Sequence, residues 1–122
     1  MSPRKKRIGM TPTEHQEQTL LCVWMTKANI VHFAIPNGGL RSTLEGFKFK
    51  REGVKSGVPD IFIPTPMGDY HGLFIELKRK QGGRISEYQR YWLDYLNSQG
   101  YLAKVACGFD EAKAIVETYF RV

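Results

Sequence analysis

Two short apolar runs hold acids where apolar side chains belong. The first is "GVPDIFIP", Gly57 to Pro64, with Asp60 directly after Pro59. The second is "LFIELK", Leu73 to Lys78, with Glu76 inside it and Lys78 two places on. Each run has the length of a short strand and is bounded by turn residues. Side chains alternate faces along a strand, so Phe74, Glu76 and Lys78 share one face and Ile75 and Leu77 the other. A carboxylate on a half-buried strand needs a metal, a cation or solvent. A turn-rich loop from Pro64 to Gly72 joins the runs, as in a hairpin-like pair. If the strands pair, Asp60 and Glu76 converge at one edge of the sheet.

The remaining pattern supplies the layers around these strands. Residues 1 to 10 read as a flexible basic arm, and residues 11 to 122 as one domain. A helix is expected to start at Thr11, with Pro12 in its first position and Glu14 three residues on as in a capping box. Leu20, Leu21, Val23, Trp24 and Met25 give it an apolar side, and Asn29 suits its end. Ile30 to Ile35 is β-rich and stops at "PNGG". Residues 41 to 52 suit a short helix ended by Gly53. Ser86 is expected to cap a helix through Asn97, with Tyr88, Trp92, Leu93 and Leu96 inward and Gly100 as its stop. "YLAKVAC" reads as a strand. Asp110 is expected to cap a last helix with Ala112, Ile115, Val116 and Tyr119 inward. The order predicts an α/β fold, a mixed sheet with helices on its faces and at least one antiparallel junction.

Composition excludes several classes. No apolar run of the 122 residues approaches the ~20 a membrane span requires. The N-terminus lacks a signal peptide's apolar stretch, so a cytoplasmic protein is expected. Cys22 and Cys107 form no CxxC pair and read as buried free thiols. His15, His32 and His71 match no zinc spacing. The formal charge is +6, which attracts polyanions, nucleic acid above all. Its clustering carries more weight than its size: Arg4 to Arg7, then Lys48, Lys50, Arg51 and Lys55, then Lys78, Arg79, Lys80 and Arg84.

Two converging carboxylates repel unless a cation lies between them. Oxygen ligands of this kind suit Mg²⁺ or Mn²⁺. Lys78, on the same face as Glu76, can touch a metal-bound water or offset the extra negative charge of a pentavalent phosphate. These parts together describe phosphodiester hydrolysis. Taken alone, Glu-x-Lys on a strand reads more readily as a surface ion pair, and Asp60 after Pro59 can be a plain turn residue. The two motifs on adjoining apolar strands are far more specific.

At these residues the chain resembles the PD-(D/E)XK nuclease superfamily. The longer string "AIPNGG … GVKSGVPDIFIP … HGLFIELKRKQGGRISEYQRYWLDYLNSQGY" resembles the virus-type replication-repair nuclease (VRR-NUC) family over roughly residues 14 to 120. The resemblance implies a restriction-endonuclease-like fold, a divalent metal and cleavage of DNA. It implies Asp60 and Glu76 as metal ligands with the main-chain carbonyl of Leu77, and Lys78 as the residue that orients or activates water. It also implies an acid from the first helix. Glu17 lies one turn before Leu20 and Leu21, at the edge of the packed face, and is the favoured candidate for metal ligand or water-holder. Glu14 has the capping box as its own explanation.

Gln89 reads two ways. "SEYQ" has capping-box spacing, so the amide can bond the Ser86 backbone. The resemblance places it beside the lysine, where it would orient phosphate or water. Tyr88, Tyr91 and Trp92 read as core or dimer-face aromatics more readily than as base-stacking platforms. His71 reads as a solvated loop residue or as a phosphate contact at the rim. Asn37, Gly38 and Gly39 form a tight turn that can also bring N–H groups near a phosphate. Arg79, Lys80, Arg84 and Lys55 are expected to contact the DNA backbone without reading bases. Small members of the family imply a homodimer acting on branched DNA such as four-way (Holliday) junctions, in a repair or phage setting. The competing reading is a basic binding module that does not cut, or a nuclease subunit needing a partner.

Overall fold

The computed structural model describes residues 11–36, 48 and 50–121. The expected basic arm and the Asn37-Gly38-Gly39 turn lie outside the described residues, as does most of the helix expected over residues 41 to 52. Its described end does make helical bonds, Glu52 N–H to Lys48 O and Gly53 N–H to Lys50 O, and Gly53 stops them at a positive φ of 99°.

The element order is α1 (Glu14–Lys27), β1 (Phe33–Ala34), β2 (Ile61–Ile63), β3 (Leu73–Lys78), α2 (Glu87–Ser98), β4 (Leu102–Cys107) and α3 (Phe109–Tyr119). The strands form one sheet in the order β1-β2-β3-β4. β1 with β2 and β2 with β3 are antiparallel, while β3 and β4 are parallel through the α2 crossover. The mixed α/β sheet and its antiparallel junction agree with the pattern of the sequence.

Alternation divides the strands between two cores. Ile61, Ile63, Leu73, Ile75, Leu77 and Ala106 pack with Leu21 and Met25 of α1 and with Ala112, Val116 and Tyr119 of α3. Each fully buried Leu or Ile contributes about 1.5–3 kcal/mol. On the opposite face, Leu93 and Leu96 of α2 pack on Ala103, with Phe74, Tyr101 and Val105 partly buried around them. Phe62 stacks on Phe74 with ring centroids 4.2 Å apart. This second face, covered by α2, is the one that carries Glu76.

Several local expectations are corrected. α1 begins at Glu14, not at Thr11: Thr13 is its N-cap, and Gln16 rather than Glu14 completes the capping box. Asn29 does adopt the left-handed conformation after the helix, with φ 60°. Only Phe33–Ala34 of the Ile30–Ile35 run pairs as a strand, at an exposed edge. Leu20 and Val23 are exposed, and Tyr88 is turned to solvent. Both cysteines are free, but Cys107 is exposed and Cys22 only partly buried. Asp110 does not cap α3. Gly108 stands at that cap and offers no side-chain bond. Asn97 does not end α2 but works inside its last turn, exchanging two hydrogen bonds with the backbone of Ala103 on β4.

Gly57 locks β2 to α2. Its φ is 87°, and an added Cβ would lie 2.5 Å from the Tyr88 carbonyl carbon and 2.7 Å from the Gln89 nitrogen. Gly57→Ala combines left-handed strain with a backbone clash, at an expected cost of about 2–4 kcal/mol. Thermal unfolding of that variant should show a midpoint lowered by roughly 10 °C. A shift under ~2 °C would mean that the close approach is not maintained in solution.

Candidate active site

The register of β2 on β3 assembles the centre. Ile61 lies opposite Ile75 and Phe62 opposite Phe74. One step beyond, Asp60 comes level with Glu76, on the face that α2 covers. Pro59 is buried beside it, and the Asp60 N–H donates to the Ile75 carbonyl, extending the ladder past the end of β2. Asp60 Oδ2 accepts the Leu77 N–H at 2.7 Å. The acid after the proline is therefore a fixed part of the sheet edge.

Glu76 is 1% exposed. Its Oε2 accepts the Gln89 Nε2 amide at 3.0 Å and lies 3.9 Å from Lys78 Nζ. Its Oε1 is buried with no donor against it. Burial pushes the Glu76 carboxyl up to about 9. The Asp60 charge and a side-chain hydrogen bond with Asp60 act in the same direction, as does Glu14, and Lys78 opposes them. Lys78 is itself only 8% exposed, and Gly83 packs close against its stem.

Gln89 makes the capping-box bond and also touches the acid of β3. Its Oε1 accepts the Ser86 N–H while its Nε2 reaches Glu76. The N-cap bond holds the amide in one rotation and so aims its donor end at the carboxylate.

Glu17 and Glu14 are placed differently from expectation. Glu17 is 2% exposed, but α1 packs on the other face of the sheet. Its Oε1 accepts the Phe109 N–H at 2.9 Å, at the start of α3, and its Oε2 is buried without a hydrogen-bond partner. The acid of α1 whose charge acts on Glu76 is Glu14. Among the described residues, no group of three His, Cys, Asp or Glu side chains is gathered closely enough to hold an ion. The Thr13–Gln16 spacing was the available signal, since it makes a capping box as good as Thr11–Glu14 and releases Glu14.

The chemistry of the donors fits a divalent ion. Two carboxylates on one sheet face, one with an orphaned buried oxygen and a raised pKa, are short of positive charge. With two acids gathered among the described residues, the set leaves positions for a main-chain carbonyl and water, which suits Mg²⁺ better than a softer metal.

The basic residues frame one end of this centre. Arg79, Lys80 and Arg84 are exposed just past Lys78, and Lys80 lies 3.9 Å from Asp110. Lys55 is exposed near the start of α2, in a groove with Tyr88, Tyr91 and Trp92. His71 is at the wrong end. Its N–H bonds Gly100 O and its ring packs edge-on to Tyr101, five strand positions from Glu76, or roughly 16 Å along β3. It does not reach the rim of the acid pair.

A twisted mixed sheet whose central strand carries a buried acid and a lysine, faced by a second acid from the adjoining strand, is the architecture of a nuclease-type α/β domain. The VRR-NUC domain profile matches residues 6–110, and the chain belongs to that family. A solved structure described as a VRR_NUC domain protein is similar to it at 30% identity, with a TM-score of 0.79 over 92% of this chain and 91% of the other. No curated protein matches the chain. Among the described residues, no helix is long and apolar enough to cross a membrane.

The raised pKa of Glu76 sets the sign of a pH effect in the metal-free protein. From the usual carboxylate range near 4.5 up to about 9, the native state keeps a proton that the unfolded chain has lost. The stability that Glu76 contributes is therefore full below that range and declines as pH rises through it. A bound cation favours the ionised pair, so its stabilising effect grows with pH. Thermal melts in EDTA and in Mg²⁺ should converge near pH 5 and separate near pH 9, and Glu76→Gln should remove the separation. Melts separated equally at every pH would show that Glu76 does not bind the ion.

Proposed function

We propose that the protein is a Mg²⁺-dependent DNA endonuclease, with Mn²⁺ as a substitute, acting on branched DNA as a homodimer. One observation carries the reading: a buried carboxylate with an unfilled oxygen faces a second carboxylate, while a lysine and an amide hold its other oxygen. A surface ion pair would not place Glu76 and Lys78 out of solvent, so the bland account of Glu-x-Lys loses its support.

Asp60 and Glu76 would hold the ion with the Leu77 carbonyl. Bound there, Mg²⁺ would supply hydroxide near neutral pH and neutralise charge on the scissile phosphate. The Leu77 N–H fixes Asp60 through one oxygen and Gln89 engages Oε2 of Glu76, which leaves the buried Oε1 of Glu76 to meet the metal. The Lys78 ammonium, in a nearly dry setting, would offset the charge gained as the phosphate becomes pentavalent. Glu17 would act from a distance, by holding α3 against the end of β3, and Glu14 would tune the field at Glu76.

Arg79, Lys80, Arg84 and Lys55 would bind phosphates around the cleft. The reading gives His71 no part. Family membership supports DNA as the substrate. Two copies of one centre about a two-fold axis suit the paired cuts that a four-way junction requires.

Asp60→Ala or Glu76→Ala should lower Mg²⁺-dependent cleavage at least ~10³-fold, and Lys78→Ala about 10²–10³-fold, with DNA binding retained. Cleavage of junction, fork, flap and linear substrates, beside the mass in solution, checks this. Normal cutting by either acid variant would remove the metal site, and a monomer that cuts only linear DNA would remove the branched-DNA reading. About four phosphate contacts predict an affinity roughly 100-fold weaker at 200 mM than at 50 mM salt. A flat salt response would dismiss the basic rim.

A further inference from the structure

The groove beside the start of α2 has no part in the metal chemistry. It is lined by Lys50, Val54 and Lys55 on one side and by Tyr88, Tyr91 and Trp92 on the other, with a volume of about 660 Å³. That lies within the ~300–1,000 Å³ of ordinary ligand clefts. We propose that it receives an unpaired nucleotide of the substrate, with its base against Tyr88 or Tyr91 and its phosphates near Lys50 and Lys55. This rests on the nuclease reading and refines its substrate.

Four observations support it. Tyr88 is 68% exposed and Tyr91 60% exposed, one turn apart on α2, so their rings are offered to solvent instead of the core. The wall is stiffened from behind, because Tyr91 lies parallel to Tyr95 at 6.3 Å and edge-on to Trp92 at 5.3 Å. A pre-ordered aromatic surface loses little entropy when a base stacks on it. Every base has a π-face, so such a surface binds without reading sequence.

The charge identifies the occupant. Among the described residues, two lysines and one acid, Glu87, line the groove, a balance that favours a phosphate backbone over a second copy of the same positive surface. Position agrees as well. Tyr88 is next to Gln89, whose amide touches Glu76, and Gly57 presses on the backbone of both residues. A nucleotide in the groove is thus one residue along α2 from the amide that holds the metal-binding acid. Bases inside a duplex cannot reach a tyrosine without leaving the stack, at a cost of a few kcal/mol. The groove therefore selects forks, flaps and open junction centres over continuous duplex.

The test measures binding in EDTA, so its outcome is independent of cutting. Fluorescence anisotropy compares the full chain with Tyr88→Ala, Tyr91→Ala and Tyr91→Phe on labelled oligothymidylate, a flap and a blunt duplex. Each alanine should weaken single-strand and flap binding about 10-fold, which is within the ~1–3 kcal/mol of one stacked base. Duplex affinity and the mass in solution should not change, and Tyr91→Phe should restore binding. Photocrosslinking of a 5-iodouracil strand should map to Tyr88 or Tyr91. Equal losses on duplex and single strand, no loss at all, or an alanine variant of lower mass would overturn the proposal, the last by making this face a contact between copies. Wild-type protein that binds as expected yet cuts nothing in Mg²⁺ would refute the nuclease reading and leave the groove standing.

Discussion

Two carboxylates held level on neighbouring antiparallel strands, with one of them buried, are the constraint around which this structure is arranged. Such a pair is unfavourable by itself, because burial and like charge both penalise ionisation. The chain answers with fixed donors. The Leu77 N–H engages Asp60, the Gln89 amide engages Glu76, and Lys78 lies on the same face. These leave one carboxylate oxygen inside without a donor. The imbalance has a chemical sense if a divalent ion completes the set. The sheet register, the α2 cap and the close approach at Gly57 all serve to keep that pair in place.

The opposite face does mechanical work at the same point. The end of β3 is tied to the start of α3 by Gly108 N–H to Lys78 O. Glu17 reaches across from α1 to accept the Phe109 N–H. An anionic oxygen at a helix N-terminus meets its exposed N–H groups and the positive end of its dipole. A buried acid on the first helix thus contributes to the position of Lys78 without lying beside it. The distinction between Glu14 and Glu17 follows from this. Glu14 sits at the very start of α1 and its field reaches the site, whereas Glu17 is enclosed one turn deeper, on the far side of the sheet.

The legible parts of the sequence were those with strong local rules. "LFIELK" coincides with β3, Ser86 caps α2 as its spacing predicts, and the alternation of Phe74, Glu76 and Lys78 set them on one face. Gln89 offered two readings because each end of its amide has its own partner. Misreadings arose where two local solutions compete. Thr11 with Glu14 and Thr13 with Gln16 are both capping boxes, and the second was used. Asp110 looks like an N-cap, but α3 already starts at Phe109, with Gly108 at the cap and the Phe109 N–H donated to an acid 92 positions away in the chain. Tyr88 fits an inward stripe by spacing, yet the buried side of α2 runs through Leu93 and Leu96 and leaves Tyr88 exposed. His71 is near Glu76 in sequence and far from it along the strand.

The sequence by itself determined the class of layers, the strands that carry the acids and the side of each strand on which they lie. Those properties depend on periods of two or 3.6 residues and on neighbours within a few positions. Only the tertiary structure decided which strand edges meet, which helix covers which face, and therefore which acid of α1 closes a helix and which only sends its charge to Glu76. Those are consequences of packing between segments far apart in the chain, where one residue's exposure depends on what every other element has already filled.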